Sequence, residues 1–294
     1  MASRWIAAFL VACLPLATRA GTFEEEVAAA VKPFGPDAVV EVALHDFATG
    51  QARLIRADEP IHPASTMKIP VMIEAYRRAE AGDLRLDDEL EVVNSFASLV
   101  DGSPYALDPA DDSETTLYDR VGGKATVREL VFLMVTESSN LATNILVEKL
   151  GAKAVTDLMA KLGAPDLKVL RGVQDGKAYE AGLNNVGTAR GTMTILRRLA
   201  EGTAVSKSAD AAMMDVLRAQ KFNDGIPAGL PEGTPVAHKT GSITNVYHDA
   251  AVVEPPGRAP FVLVVMTRGL GPQPAARALA ADVARIAYRH VRNP

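Results

Sequence analysis

The sequence contains very few residues of the types that build thiol, disulfide or metal sites. Cys13 is the only cysteine among 294 residues, and it lies in an apolar stretch near the start of the chain. A mature chain without that stretch contains no thiol, which excludes disulfides, thiol nucleophiles and cysteine-ligated metals. The five histidines include no pair at a zinc-ligand spacing such as H-E-x-x-H, which disfavours a metallo-hydrolase. We therefore expect a protein with no metal and no other cofactor.

Runs of positive charge are missing as well. The chain has 31 Lys and Arg residues against 36 Asp and Glu residues, a formal net charge of -5 at pH 7. An acidic chain without a basic run repels the phosphate backbones of nucleic acids and the anionic surfaces of membranes. We therefore expect a small-molecule substrate and no nucleic-acid partner, and we also expect a monomer.

No apolar run in the sequence is long enough to remain in a bilayer as a stable span. Residues 5–17 are mostly apolar, follow a short basic start, and precede Thr18-Arg19-Ala20, with small residues where a signal peptidase reads. We expect residues 1–20 to be a signal peptide and the mature protein to be periplasmic or secreted. The alternative is a lipoprotein box at Leu10-Val11-Ala12-Cys13, with anchoring through Cys13. We favour it less because the apolar residues continue past this cysteine.

The hydrophobic patterns indicate the order strands, helices, strands and a final helix. Strands are predicted at residues 38–47, 51–56, 236–242, 248–254 and 261–267, and the main helices at 22–31, 65–81, 140–150, 153–162, 186–200, 209–219 and 274–289. Strands from both ends of a chain can join one antiparallel sheet, which leaves the central helices as a separate lobe. We expect one catalytic domain over residues 21–294. Its sheet lobe would comprise about 21–62 and 220–294 and its helical lobe about 63–219, with a ligand cleft between them.

The first candidate motif is Ser65-Thr66-Met67-Lys68, at the start of a predicted helix. Residues at i and i+3 share a helix face, so the Lys68 amine can reach the Ser65 hydroxyl. A serine hydroxyl becomes a good nucleophile when a neighbouring base takes its proton, and a lysine with a lowered pKa can be that base. On its own, the motif is also compatible with a capped surface helix. The sequence contains no G-x-S-x-G elbow, which weighs against the other common serine-hydrolase fold.

The second candidate motif is Ser138-Ser139-Asn140, a polar interruption between two apolar helices. Serine and asparagine are good helix N-caps, so a structural role for Ser139 or Asn140 is one interpretation. In the functional interpretation, the hydroxyl of Ser138 is a proton shuttle and the Asn140 amide binds the substrate. The motif alone does not decide between the two.

The third candidate motif is Lys239-Thr240-Gly241-Ser242, at the end of a predicted strand. Lys239 and Thr240 suit a substrate carboxylate by charge and hydrogen bonding, and Gly241 permits a close approach of the backbone. The N–H groups of Ser242 and Ser65 could form an oxyanion hole. A strand that simply ends in a turn is the structural alternative.

The three motifs in this order resemble those of the class A β-lactamases and penicillin-binding proteins. The resemblance extends to Pro63-Ala64 before the first motif, to Ala142-x-Asn144 after the second, and to the terminal strands and helix, so it covers nearly the whole mature chain. It implies an α/β fold of the α+β type, with an antiparallel sheet flanked by helices beside an all-α lobe. It also implies a serine hydrolase that opens β-lactams through an acyl-enzyme on Ser65. The alternatives are a D-alanyl-D-alanine peptidase or esterase that acts on cell-wall peptide, and a β-lactam sensor that deacylates slowly.

The match is incomplete around the residue that hydrolyses the acyl-enzyme in this family. The family carries a glutamate followed three and four residues later by leucine and asparagine, and Glu180-Ala181-Gly182-Leu183-Asn184 has that spacing. Glu180 is therefore our candidate deacylation base, with Asp175 as a weaker alternative. The family usually has an arginine two residues before the glutamate, whereas this chain has Ala178 there and Arg171 as the nearest arginine.

Two further departures concern the second motif and the segment before it. Ser139 stands where the family usually has aspartate, so the aspartate that stabilises the junction between the two helices in the family is absent. Residues 101–120, here called the excursion, lengthen the chain between the first two motifs, and Tyr105 or Tyr118 could stack on a substrate. The acidic residues of the excursion lack the spacing of a calcium loop, so a solvated surface segment is the favoured interpretation.

Two residues near the end of the chain are weaker candidates. Arg268, at the end of the last predicted strand, could be a second cation for a substrate carboxylate, although a surface role is equally compatible with its position. His238 precedes the third motif, and we favour a packing or surface role for it.

Overall fold

The computed structural model describes residues 21–292. The predicted signal peptide and the alternative lipidation of Cys13 fall on residues 1–20 and lie outside the described part of the chain. Within residues 21–292, none of the helices is long and apolar enough to cross a membrane.

Five strands form the main sheet, and they come from both ends of the chain as the sequence predicts. The strands are β1 (Val39–Asp46), β2 (Ala52–Ile55), β3 (Val236–Ile243), β4 (Val246–Val253) and β5 (Phe261–Arg268). Their order is β2-β1-β5-β4-β3, and every neighbouring pair is antiparallel. Short pairs of strands at 89–91 with 124–126 and at 96–97 with 104–105 lie between the helices and were not predicted.

Nine helices accompany this sheet within the described residues. They are α1 (Phe23–Val31), α2 (Lys68–Ala81), α3 (Val127–Thr136), α4 (Asn140–Leu150), α5 (Ala152–Lys161), α6 (Gly176–Glu180), α7 (Ala189–Glu201), α8 (Lys207–Arg218) and α9 (Gln273–Arg292). The predicted fold class, an antiparallel sheet flanked by helices beside a group of helices, is confirmed.

Each face of the sheet contributes to a different apolar core. Because successive side chains of a strand point to opposite faces, β5 divides its residues between the two cores. Leu263 and Val265 pack in the core that includes residues of α1 and α9, whereas Val264 and Met266 pack in the larger core that includes residues of α2 to α5, α7 and α8. Both faces are covered by helices, which explains why β5 is almost continuously apolar.

The helix predicted from Ser65 begins later than expected. Ala64–Met67 form a turn of 3-10 helix, and regular α-helix starts at Lys68. Pro70 therefore lies in the first turn of α2, where the missing N–H of proline costs no helical hydrogen bond. A helix that started at Ser65 would place Pro70 in its second turn, and the sequence therefore predicts a disturbance there; the later start of α2 makes that prediction wrong. At the other end, Gly82 adopts a left-handed conformation and closes the helix, as predicted.

Candidate active site

Ser65 lies in the 3-10 turn that leads into α2, and two histidines hydrogen-bond to the segment before it. Ala64 has a positive φ of 47°, and its N–H donates to Nδ1 of His62 at 3.1 Å. His248, which is fully buried on β4, lies with its Nε2 2.8 Å from the carbonyl oxygen of His62. These contacts position the backbone that precedes Ser65.

Strand β3 runs directly beside this turn. A Cβ atom at Gly241 would lie 2.8 Å from the backbone nitrogen of Ser65 and 3.0 Å from that of Thr66. Such distances leave no room for a side chain, so the close approach requires glycine at this position. The first and third motifs are thereby brought into direct contact.

Lys68 is completely buried behind Ser65, on the adjacent turn of helix. Its Nζ donates to the carbonyl oxygen of Ser138 at 2.7 Å, to Ser138 Oγ at 3.1 Å and to Asn140 Oδ1 at 3.0 Å. Burial lowers the pKa of Lys68 to about 7, although the negative charge of Asp112 opposes this change. A lysine in this state is available as a base near neutral pH.

The third motif meets the second at the same hydroxyl. Lys239 is also completely buried, and its Nζ donates to Ser138 Oγ at 3.1 Å and to the carbonyl oxygen of Thr240 at 2.8 Å. Burial, together with the neighbouring charge of Lys68, lowers the pKa of Lys239 well below its ordinary value. Two lysine amines therefore share one serine oxygen in a dry environment.

A cavity of about 790 Å³ opens in front of these groups. It is lined by the predicted site residues Ser65, Ser138, Asn140, Thr240, Gly241 and Ser242. Lys68 and Lys239 lie behind this wall, within hydrogen-bond reach of Ser138. The volume suits a small organic molecule, which agrees with the predicted class of substrate.

Glu180, the predicted deacylation base, is not brought to this cavity. It is the last residue of α6, its side chain is exposed, and it does not belong to the cavity lining. The spacing Glu180 to Asn184 is present in the sequence, but the short helix directs the glutamate to solvent. Nothing in the sequence predicted this helix.

Asp175, the weaker alternative, lines the cavity but is fully engaged in structural hydrogen bonds. Its carboxylate accepts from Ser98 Oγ at 2.9 Å, from the N–H of Leu99 at 2.8 Å and from the N–H of Ala178 at 3.1 Å. Burial opposes ionisation, but these hydrogen bonds outweigh it and keep the pKa of Asp175 below its ordinary value. Asp175 therefore caps α6 and ties its loop to the strand pair at 96–105.

The remaining part of this loop is fixed by Asn144, a residue that the sequence motif marked without a role. Val173 donates its N–H to Asn144 Oδ1 at 2.6 Å, and Asn144 Nδ2 donates to the Val173 carbonyl oxygen at 3.1 Å. Val173 and Gln174 both line the cavity, and Gln174 has a positive φ of 59°. An apolar side chain and a neutral amide thus occupy the wall next to Asp175.

The two tyrosines of the excursion do not line the cavity, contrary to the proposed stacking on substrate. The Tyr105 hydroxyl donates to the Val173 carbonyl oxygen at 3.3 Å, and the Tyr118 hydroxyl donates to Asp112 Oδ2 at 2.9 Å. Both side chains are therefore occupied with contacts inside the protein.

Of the two roles considered for Arg268, the structure agrees with the surface role, and a different arginine lines the cavity. Arg268 is exposed and lies outside the cavity lining, whereas Arg277 of α9 belongs to it. The Arg277 Nη1 donates to Asp224 Oδ2 at 2.6 Å, and its guanidinium lies 5.8 Å from the ring centroid of Tyr247. Arg277 could not be predicted from the sequence, because helical periodicity does not reveal which end of a helix meets a cleft.

His238 is buried beneath the third motif and lies outside the cavity lining. Its Nδ1 lies 2.9 Å from Asp249 Oδ1 and its Nε2 lies 3.1 Å from Asn223 Oδ1. Both ring nitrogens are thus engaged within the protein.

Comparisons with known proteins agree with this geometry. The model of the beta-lactamase enzyme family matches residues 22–291. A β-lactamase of Rhodobacter capsulatus is 30% identical over 230 residues, which cover 76% of this chain and 73% of that protein. The crystal structure of a β-lactamase from Sphaerobacter thermophilus superimposes with a TM-score of 0.78 at 28% identity, covering 91% of this chain and 97% of that one.

A third similar protein is the ancestral class A β-lactamase assigned to the last common ancestor of Gram-negative bacteria. It superimposes with a TM-score of 0.80 at 28% identity and covers 92% of this chain and all (100%) of its own. The family match spans nearly every described residue and includes all three motifs. This chain therefore belongs to the beta-lactamase enzyme family and is similar to its class A members.

Proposed function

We propose that this protein is a serine hydrolase that opens β-lactams through an acyl-enzyme on Ser65. The observation that carries the proposal is that the amines of Lys68 and Lys239 both hydrogen-bond to the hydroxyl of Ser138, beside the cavity that Ser65 lines. A nucleophile, a base and a proton donor are the groups that acyl transfer from a cyclic amide requires. The related β-lactamase of Rhodobacter capsulatus supports the same substrate class.

In the acylation step, the Ser65 oxygen attacks the lactam carbonyl and forms a carbon–oxygen bond. Lys68 takes the proton of the hydroxyl, which its pKa of about 7 permits at neutral pH. The carbon–nitrogen bond of the lactam then breaks, and Ser138 passes a proton to the leaving nitrogen. Its hydroxyl lies 3.1 Å from both lysine amines, so either amine can replace the proton that it gives up.

The surrounding groups would bind the substrate and the developing negative charge. We assign the oxyanion hole to the backbone N–H groups of Ser65 and Ser242, because the close contact at Gly241 brings their two segments together. Lys239 and Thr240 would hold the substrate carboxylate, and the Asn140 amide would contact its side chain. These are the same roles that the three sequence motifs predict for these residues.

The deacylation step favours a second candidate function. Glu180 is exposed and lies outside the cavity lining, and the carboxylate of Asp175 already accepts hydrogen bonds from three donors. A general base helps only within hydrogen-bond reach of the water that it activates. This arrangement favours a protein that is acylated readily and hydrolysed slowly, as in a β-lactam sensor or a D-alanyl-D-alanine peptidase.

One experiment separates these functions. The purified protein is mixed with a chromogenic cephalosporin and, separately, with penicillin and a peptide ending in D-alanyl-D-alanine, and the products and the protein mass are followed over time. Continuous cephalosporin turnover supports the hydrolase, and a persistent penicillin adduct without turnover supports the slow candidate. Release of D-alanine at a rate above that of lactam hydrolysis identifies a peptidase. A protein that forms no adduct and turns over no substrate contradicts all three.

We also propose that the protein is exported and acts in the periplasm or outside the cell. The basic start, the apolar residues 5–17 and the small residues before Gly21 support this proposal. N-terminal sequencing of the protein from its host would then begin near Gly21. A sequence beginning at Met1 refutes export, and a lipidated Cys13 replaces it by membrane anchoring.

A further inference from the structure

The excursion holds the second motif from outside, on both sides of Ser138. The Ser113 hydroxyl donates to the carbonyl oxygen of Glu137 at 2.6 Å, immediately before the motif. Asp112 Oδ2 accepts from the N–H of Asn140 at 2.8 Å and from the N–H of Leu141 at 3.1 Å, immediately after it. The carboxylate thus meets the first N–H groups of α4, which have no partner within the helix.

The second motif needs such support because its own residues do not provide it. Ser138 has a positive φ of 60°, a conformation that costs energy for a residue with a side chain. Ser139 is fully buried, and its hydroxyl accepts from the N–H of Ala142 at 3.2 Å. None of the three residues of the motif is acidic, so no carboxylate comes from the motif itself.

Asp112 is well placed to make up for this absence. It is 9% exposed, and the Tyr118 hydroxyl donates to its Oδ2 at 2.9 Å, which fixes the orientation of the carboxylate. Asp111, the residue before it, accepts from Asn140 Nδ2 at 3.3 Å through its carbonyl oxygen. The side chain and the backbone of Asn140 are therefore both held by the excursion.

We propose that Asp112 is a positioning residue for acylation, which supplies from the excursion the carboxylate that the second motif lacks. This inference rests on the proposed function of Ser65, Lys68 and Ser138. Asp112 keeps Ser138 and Asn140 in place against Lys68, and its negative charge also acts on Lys68. The other titratable group that faces Lys68 is Lys239, while Ser138 and Asn140 make neutral contacts with it.

The variant Asp112→Asn tests this role because it removes the charge and keeps the shape. We expect the second-order rate constant for acylation by penicillin to fall about tenfold or more, as expected when catalytic groups are displaced by a fraction of an ångström. The acid limb of the acylation rate should also move to lower pH. Without the nearby negative charge, the Lys68 ammonium is less stabilised and loses its proton more easily.

Asp119→Asn is the matched control, since Asp119 is an exposed carboxylate of the same excursion. It should leave the acylation rate and its pH profile unchanged. Tyr118→Phe removes one hydrogen bond to Asp112 but keeps the charge, so it should slow acylation without moving the acid limb.

Each outcome of this series is decisive. Wild-type protein that penicillin fails to acylate overturns the proposed function, and this inference with it. If the wild type is acylated and Asp112→Asn keeps both the rate and the acid limb, Asp112 is only a helix cap and the inference is wrong, whatever the change in melting temperature. If Asp112→Asn does not fold, an unchanged acylation rate in Tyr118→Phe overturns the inference.

Discussion

Lys68 and Lys239 approach the same atom, each with its Nζ 3.1 Å from Ser138 Oγ. Both side chains are completely buried. Burial disfavours the charged form of both amines, and the neighbouring charge of Lys68 disfavours it further at Lys239. Lys68 is therefore held where it loses a proton easily, which is the property that a base in this position needs.

The first prediction concerns the pH dependence of acylation. Lys68 acts as a base only when neutral, and its pKa of about 7 means that the neutral fraction rises as the pH increases through neutrality. The rate of penicillin adduct formation, measured by rapid-quench mass spectrometry, should increase with a midpoint near that pKa. A rate that stays constant between about pH 5 and about pH 8 would show that Lys68 is not the base.

Replacing the nucleophile provides the second prediction. Ser65→Ala should abolish both cephalosporin turnover and covalent labelling by penicillin, because it removes the proposed nucleophile and the proposed role of Ser138 is that of proton donor. Lys68→Ala retains the nucleophile and should slow acylation by about 10²–10⁴. Peptide mapping of the penicillin adduct checks the assignment, and an adduct on any residue other than Ser65 contradicts it.

The third prediction concerns the substrate carboxylate. Lys239→Ala should raise KM for carboxylate-bearing lactams by about tenfold or more, since a bound carboxylate favours the ammonium form of Lys239 and a charge-assisted contact contributes about 1.5–3 kcal/mol. The exposed Arg268 is a suitable control, and Arg268→Ala should leave KM unchanged. Esters of the same lactams, which lack the carboxylate, should bind equally to Lys239→Ala and wild type. If the esters lose as much affinity for Lys239→Ala as the free acids do, Lys239 does not act by binding the carboxylate.

The fourth prediction follows from the exposed position of Glu180. Glu180→Gln should leave the lifetime of the penicillin acyl-enzyme within about twofold of wild type, because the carboxylate is exposed and lies outside the cavity lining. Mass spectrometry after a penicillin pulse measures this lifetime directly. A much longer lifetime in Glu180→Gln would show that α6 rearranges during the reaction and brings the glutamate into the cavity.

Asp175 carries the fifth prediction, which concerns stability. Asp175→Ala removes the cap of α6 and the contacts to Ser98 and Leu99, and it should lower the free energy of unfolding by about 2 kcal/mol. Thermal or urea unfolding measures the change. Glu180→Gln serves as the control in the same loop, and equal stabilities for the two variants would contradict the capping role.

The sequence predicted the fold well because its strongest signals are periodic. The alternation along β1 follows from packing on the two faces of the sheet, the apolar helix after Asn140 follows from packing in the larger core, and the structure confirms both. Periodicity does not distinguish the 3-10 turn at Ala64–Met67 from the first turn of an α-helix, and so the start of α2 was placed too early.

The contact between the first and third motifs was predictable, because Gly241 indicates that the backbone of β3 approaches a neighbouring segment closely. The contact of Asp112 with Asn140 joins an irregular segment to a helix end, and an irregular segment has no period from which to read its path. For the same reason, the spacing from Glu180 to Asn184 did not reveal that α6 leaves the glutamate exposed and outside the cavity lining.

The pairing of β1 with β5 also determines when the site can exist. These two strands come from opposite ends of the chain and form eight residue pairs, from Val39 with Arg268 to Asp46 with Phe261. During synthesis, β1 can pair with β5, the central strand, only after the more than two hundred residues between them have been made, and such non-local pairing forms late. β3, the strand that fixes the turn at Ser65, is also made late. The catalytic centre therefore assembles only after the segments that carry β3 and β5 have both been made.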